Sequence, residues 1–253
     1  MKSTIVLLIM LSFSVIAQKK DSLMIDNVKN ANDAARLSMV NEQINSQAGG
    51  YHASIQPFDI RYEGVKGTYY LIPMWLEADL YGNAGKLVAR HVPIKYDALN
   101  KEVIQRNSEK DTIAVYPSAF TLYDQIKSYN FVHRPTFTTT SGKKIPNTYL
   151  QVLFLNRIGF YKNFTKSLLP ADYKQPYSDN RPYDSFEEKT EYFLAKENGE
   201  MELIKLNQKS ILQTLQDQKK ALEIYIKTNQ LDLKKEVDVV SLLAYYESLG
   251  DRQ

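Results

Sequence analysis

Acid, base and imidazole come closest together between Trp75 and His91, where Glu77, Asp79, Arg90 and His91 stand on the two arms flanking the turn Gly82-Asn83-Ala84-Gly85. A carboxylate that orients an imidazole is the beginning of a general-base pair. Whether these side chains meet depends on register, because a slip of one residue turns every side chain of a strand to the opposite face. If Gly82 pairs with Gly85, Glu77 opposes Arg90 and Asp79 opposes Val88. Leu76, Ala78 and Leu80 then line the inner face opposite His91, Ala89 and Leu87, with His91 at the edge. That register accounts for the apolar side chains and leaves a cross-strand ion pair worth about 0.2–1 kcal/mol. A one-residue slip sets Glu77 against His91 instead, the arrangement of a hydrolase acting on an envelope glycan or peptide, with Glu77, Asp79 and His91 as acid, base and orienter. The slip misaligns the apolar face, so the ion-pair register is the expected one.

Other chemistries find less support. His52, His91 and His133 lie far apart, outside any H-x-x-x-H or H-E-x-x-H spacing, and there is no cysteine, so no metal and no cofactor are expected. G-x-S-x-G is absent, as are the glycine-rich phosphate loops. Acid pairs such as Glu187-Glu188 occur without a sugar-stacking tryptophan cluster, which is weak ground for a glycosidase. Basic and aromatic residues interleave around Arg134 and Arg157, in FVHRPTF and RIGFYKNF. Clusters of this kind serve protein interfaces.

The elements that must position these residues follow from composition and period. Residues 1–17 pair a basic start at Lys2 with an apolar run from Ile5 to Ile16 and a small residue at Ala17, the form of a secretory signal that leaves a mature chain beginning at or close to Gln18. The run is too short to span a bilayer, which needs about 20 residues, so no transmembrane span is expected. Export to the periplasm or to the outer membrane is. The whole chain carries a net charge of +3, too little to draw it to nucleic acid. A polar lead-in over 18–50 reads as a weak helix. From 51 to 206, short runs rich in Val, Ile, Thr, Tyr and Phe alternate with turn residues, and strand follows strand with no helical period between. That predicts an antiparallel β domain: a sandwich, a curved sheet or a partly closed barrel. The stretch from Leu168 to Lys189 lacks periodicity and holds Tyr173, Tyr177, Arg181 and Tyr183, which makes it the first candidate for a contact loop. From 207 to 250 the period becomes helical, and two helices are expected as a C-terminal hairpin, with Gly250 as a left-handed cap. The fold class is therefore α+β, a β-rich domain followed by a helical hairpin. An interior apolar enough to take a lipid or small ligand is a further option for a partly closed barrel.

Three stretches carry a resemblance: Gly67-Thr68-Tyr69-Tyr70-Leu71, Val92 to Gln105, and Lys209 to Ser248. They resemble a class of uncharacterised exported bacterial envelope proteins with a β-rich domain and a helical tail. The resemblance implies no catalytic residue. It implies a β-rich envelope protein with a helical tail. Export, the absence of a catalytic signature and aromatic residues displayed on loops lead to a non-enzymatic protein that binds another envelope protein, with an accessory or plug subunit of an outer-membrane secretion or assembly machine as an alternative. Tyr173, Tyr177, Arg181 and Tyr183, with Arg134 and Arg157 after them, are the residues expected to make that contact.

Overall fold

The computed structural model of the chain describes residues 53–55, 62, 64–108, 112–172 and 182–250. The expected signal segment and the 18–50 lead-in lie outside them. Among the described residues, thirteen strands and three α-helices follow one another: β1 (Ala53–Ile55), β2 (Leu76–Tyr81), β3 (Leu87–Asp97), β4 (Glu102–Arg106), β5 (Thr112–Val115), β6 (Ala119–Tyr123), β7 (Ser128–Arg134), β8 (Phe137–Thr138), β9 (Lys144–Ile145), β10 (Thr148–Leu155), β11 (Gly159–Leu169), β12 (Ser185–Ala195), β13 (Met201–Ile204), then α1 (Gln208–Thr214), α2 (Lys219–Asn229) and α3 (Glu236–Gly250). Eleven strands form one sheet in the order β1-β5-β4-β3-β2-β6-β7-β10-β11-β12-β13, and β8 pairs with β9. Every pairing between named strands is antiparallel. The chain is an α+β protein, as the change of period predicts.

The sheet is strongly curved. β3 and β10 are four strands apart, about 19 Å in a flat sheet with strands 4.7–4.9 Å apart. Yet the rings of Tyr96 on β3 and Tyr149 on β10 lie 5.6 Å apart at their centroids. They meet on the concave face with Phe120 and Phe131, and all four residues are fully buried. The end of β3 reaches β11 itself: Lys166 N donates to the Ala98 carbonyl at 3.2 Å, and Lys101 Nζ donates to the Phe164 carbonyl at 2.8 Å. Burial pushes the Lys101 ammonium down to about 8, against the pull of Asp97 and Glu191. Residues 66–71 strap the gap, with Lys66 N donating to Asp184 O and Leu71 N to Tyr96 O, each at 2.9 Å. Of the three sheet forms expected, the molecule takes the curved sheet, one open strand order bent until the end of β3 meets β11. Its interior is filled with aromatic rings, which a lipid bound there would have to displace.

Two further apolar clusters hold the other half. Phe154, Phe160, Leu194 and Ile204 of the sheet pack with Ile211, Leu222, Leu242 and Leu243 of the helices, while Ile145 and Phe137 of the β8–β9 hairpin cover Leu150, Tyr161 and Phe193. The C-terminal region is three helices rather than two. The first of the two expected helices breaks at Leu215, and a 3-10 turn at Gln216–Gln218 separates α1 from α2. That turn presents Asp217 to the Tyr246 hydroxyl, which donates to it at 2.8 Å. The left-handed cap falls at Gln230, with φ 53°, at the end of α2. Gly250 is the last residue of α3, and a Cβ there would stand 2.3 Å from the Arg157 guanidinium, so close approach explains the glycine. The aperiodic stretch also shortens. β11 and β12 pair residue by residue from Gly159↔Ala195 to Leu169↔Ser185, leaving 170–184 as the connection. Lys166 and Glu188, 2.6 Å apart across this ribbon, show why alternation failed there: charged pairs rather than apolar side chains hold its outer part.

Candidate functional site

β2 lies between β3 and β6, and its inner face is fixed by Ala78 and Leu80, both fully buried. Its outer face carries Glu77 and Asp79, opposite Tyr123 and Thr121 of β6. Against β3 the register matches neither expectation. Leu76 pairs with Ile94, Glu77 with Pro93 and Ala78 with Val92, after which Leu80 pairs with Ala89 and Tyr81 with Leu87. Asp79 thus faces two residues, Arg90 and His91, across a β-bulge, and Val88 is a second extra residue. The assumption that failed is that Leu87 belongs inside. Leu87 and Val88 are exposed, so burial exerts no pull on the register near the turn.

The bulge gathers the candidate residues. His91 takes a left-handed backbone, φ 50°, which turns its N–H onto Asp79 Oδ1 at 3.0 Å. The Tyr123 hydroxyl donates to Asp79 Oδ2 at 2.9 Å. Asp79, almost fully buried, thus fills the gap the bulge opens in the backbone ladder. The His91 ring stacks on Tyr123 at 5.5 Å, and its Nδ1 stands 3.3 Å from Glu77 Oε2. Glu77 meets His91 and not Arg90, through a bulge rather than through the one-residue slip. The side chains of Glu77 and His91 are 67% and 56% exposed. Chemically, the arrangement can hold an imidazole flat against a phenol with a carboxylate at one nitrogen. Two depressions in the surface, about 620 Å³ beside Arg157, Asp217 and Tyr246 and about 750 Å³ along α1 and the start of α2, include none of these residues. Among the described residues no group of three His, Asp or Glu is arranged to hold a metal ion, and no helix is long and apolar enough to cross a membrane.

The other candidates scatter. Tyr173, Tyr177 and Arg181 lie outside the described residues. Tyr183 is exposed beside β12, with the Lys66 ammonium 4.1 Å from its ring centre. Arg134 lies over the Tyr161 ring and donates to its hydroxyl at 3.2 Å. Arg157 clamps α3: its Nε donates to Glu247 Oε2 at 2.7 Å and its Nη2 to the Glu247 carbonyl at 2.6 Å. Burial depresses His133, which packs on Tyr149, despite a hydrogen bond to Asn147 that favours the charged form. What the sequence reading missed is an aromatic group around the strap. Tyr62, Tyr69, Tyr70 and Phe186 make ring contacts with centroids 4.3 to 5.8 Å apart. The run Gly67-Thr68-Tyr69-Tyr70 was the available signal, but nothing in it points to Phe186 on a strand far along the chain.

The fold defines the class, a curved antiparallel sheet with a helical end. Compared with protein-family models, curated proteins and solved structures, the chain matches none of them.

Proposed function

We propose that this chain is a non-enzymatic, exported protein of the bacterial cell envelope that binds another protein there. The observation that carries the reading is the aromatic group at the strap: Tyr62, Tyr69, Tyr70 and Phe186 are half-buried and in mutual contact, with Tyr183 exposed nearby on Lys66. Half-buried tyrosines backed by a rigid sheet are good anchors, since they bring large contact area at low entropic cost. The signal-like residues 1–17 support export. A photo-crosslinking side chain at position 183, with one at the exposed Ile224 of α2 as control, tests the reading in cells. A discrete protein adduct from position 183 that position 224 does not give is the expected result. No adduct, or the same adducts from both, overturns it. Recovery of a mature chain that still carries residues 1–17 overturns the export half.

A second reading, a hydrolase acting on an envelope glycan or peptide, keeps one observation in its favour, the Glu77–His91 contact at 3.3 Å. Its expected signature is turnover of a chromogenic ester or glycoside that His91→Ala abolishes while the protein remains folded. Turnover unchanged by that substitution removes the reading.

A further inference from the structure

The outer face of β2, β3 and β4 carries four acids, and each is already engaged. Glu77 meets His91, and Asp79 accepts from His91 N and Tyr123. Asp97 accepts from Leu99 N, Asn100 N and the Asn100 side chain in the turn after β3. Glu102 accepts from the Tyr116 hydroxyl. Two cations on the same face have no such arrangement. Lys95 pairs across the ladder with Ile104, and Arg106 lies two residues further along β4, so the two project side by side as diagonal neighbours, a spacing of about 7–8 Å in antiparallel sheets. Both stand over the ring of Trp75, the Lys95 ammonium 4.8 Å and the Arg106 guanidinium 5.2 Å from its centre, and Lys95 also lies 4.7 Å from the centre of Tyr70. Among the described residues, no carboxylate forms an ion pair or hydrogen bond with either cation.

Aromatic rings hold cations in place and strip water from them, but they do not neutralise charge. Burial and the nearby guanidinium both push the Lys95 ammonium down, which is what two like charges side by side do without a counter-ion. An arginine fork beside a lysine point charge suits a tetrahedral oxyanion, the fork contacting two oxygens and the ammonium a third. We infer that Lys95 and Arg106, positioned by Trp75 and Tyr70, form a binding site for a phosphate monoester group. Tyr70 belongs to the strap as well, but the inference does not rest on a protein being bound there.

Trp75 is the only tryptophan in the chain, so its fluorescence reports on this site alone. The probes are inorganic phosphate, vesicles of phosphatidylcholine containing phosphatidic acid, and vesicles of phosphatidylcholine alone, at constant ionic strength. A saturable change with free phosphate assigns a small phosphorylated ligand. A change with phosphatidic acid vesicles but not with free phosphate assigns a lipid headgroup. In either case Lys95→Gln and Arg106→Gln should each weaken binding about tenfold, the loss expected for one charge-assisted hydrogen bond, while circular dichroism and the melting temperature stay those of the unaltered chain. The inference falls if neither phosphate probe gives a saturable change, if plain phosphatidylcholine or added chloride gives the same one, or if binding survives both substitutions. Should one variant fail to fold, the other alone decides.

Discussion

The pair Glu77–His91 and the pair Arg157–Glu247 have similar chemistry and opposite surroundings. The first sits on the outer face of β2 and β3, both side chains more than half exposed. In the second, Glu247 is only 4% exposed and receives Arg157 Nε on one oxygen and Ile158 N on the other, at 2.7 and 2.8 Å. An exposed pair gains little over its hydrated partners, about 0–1 kcal/mol. A buried carboxylate with two donors is different, because removing it strands the buried Ile158 N–H and leaves the Arg157 guanidinium without its acceptor. The contrast teaches that attraction between the charges is not what fixes α3 on the sheet. The cost of leaving the partners unmet does that, and Arg157, which reads from sequence as a binding residue, is occupied in meeting it.

The largest expected effect is at Glu247. Glu247→Gln turns one acceptor oxygen into a donor facing Arg157 or Ile158 N, and should lower stability by about 2–4 kcal/mol in urea unfolding followed by circular dichroism. A loss under about 0.5 kcal/mol, the level of an ordinary surface change, would erase the distinction between the two pairs. Asp79 offers the next test, because it brings the character of the buried pair into the exposed region. Asp79→Asn sets an amide against either His91 N–H or the Tyr123 hydroxyl and should cost about 1–3 kcal/mol. Glu77, two residues away on the same face, should not follow it.

How far this contrast was legible in the sequence differs residue by residue. Alternation on β2 identifies Ala78 and Leu80 as inward, and they are fully buried. β4 and β6 fall on the residues their composition picks out, Glu102–Arg106 and Ala119–Tyr123. The β3 bulge is not legible, since a left-handed histidine has no glycine to announce it and its stabilising acceptor, Asp79, is on another strand. Nothing in the sequence around Tyr123 points to Asp79, because their hydrogen bond arises from the β2–β6 pairing. Glu247 reads as one more polar position on a helix. Its burial is decided by the β10–β11 turn, which delivers Arg157 and Ile158 to it. Local period thus shows which face is inward, while contacts between distant strands decide which polar residues are trapped there.

Lys101 lies between the extremes and can be tested by pH. Its folded-state pKa, about 8, lies below the ordinary lysine value of 10.5 because burial penalises the charge. The folded protein therefore loses this proton first, and the unfolded chain holds more protons between about pH 8 and 10.5. Stability should rise with pH in that window and lose the gain as pH falls through 8. Above pH 10 the trend should reverse, since burial pushes Tyr96 up to about 12 and its proton is lost more readily on unfolding. Urea midpoints measured from pH 7.5 to 9.5 should increase for the unaltered chain and stay flatter for Lys101→Met. Equal slopes would mean that the ammonium linking β3 to β11 is no more desolvated than Glu77 or His91.

The smallest effect is expected at the pair that looked most catalytic. Glu77→Gln should change stability by no more than about 1 kcal/mol, and less still in high salt, because both partners remain hydrated when parted. His91 needs separate treatment, because it contributes a backbone conformation as well as a side chain. His91→Ala removes the ring from Tyr123 and the contact with Glu77 while keeping a residue that resists φ 50°. His91→Gly removes the same contacts and relieves that resistance. If the bulge rests on the Asp79 hydrogen bond to the backbone, the glycine variant should be at least as stable as the alanine variant, by about 0.5–1 kcal/mol. The reverse order would show that the exposed imidazole, through Glu77 and Tyr123, is what holds the strand in its bulged register.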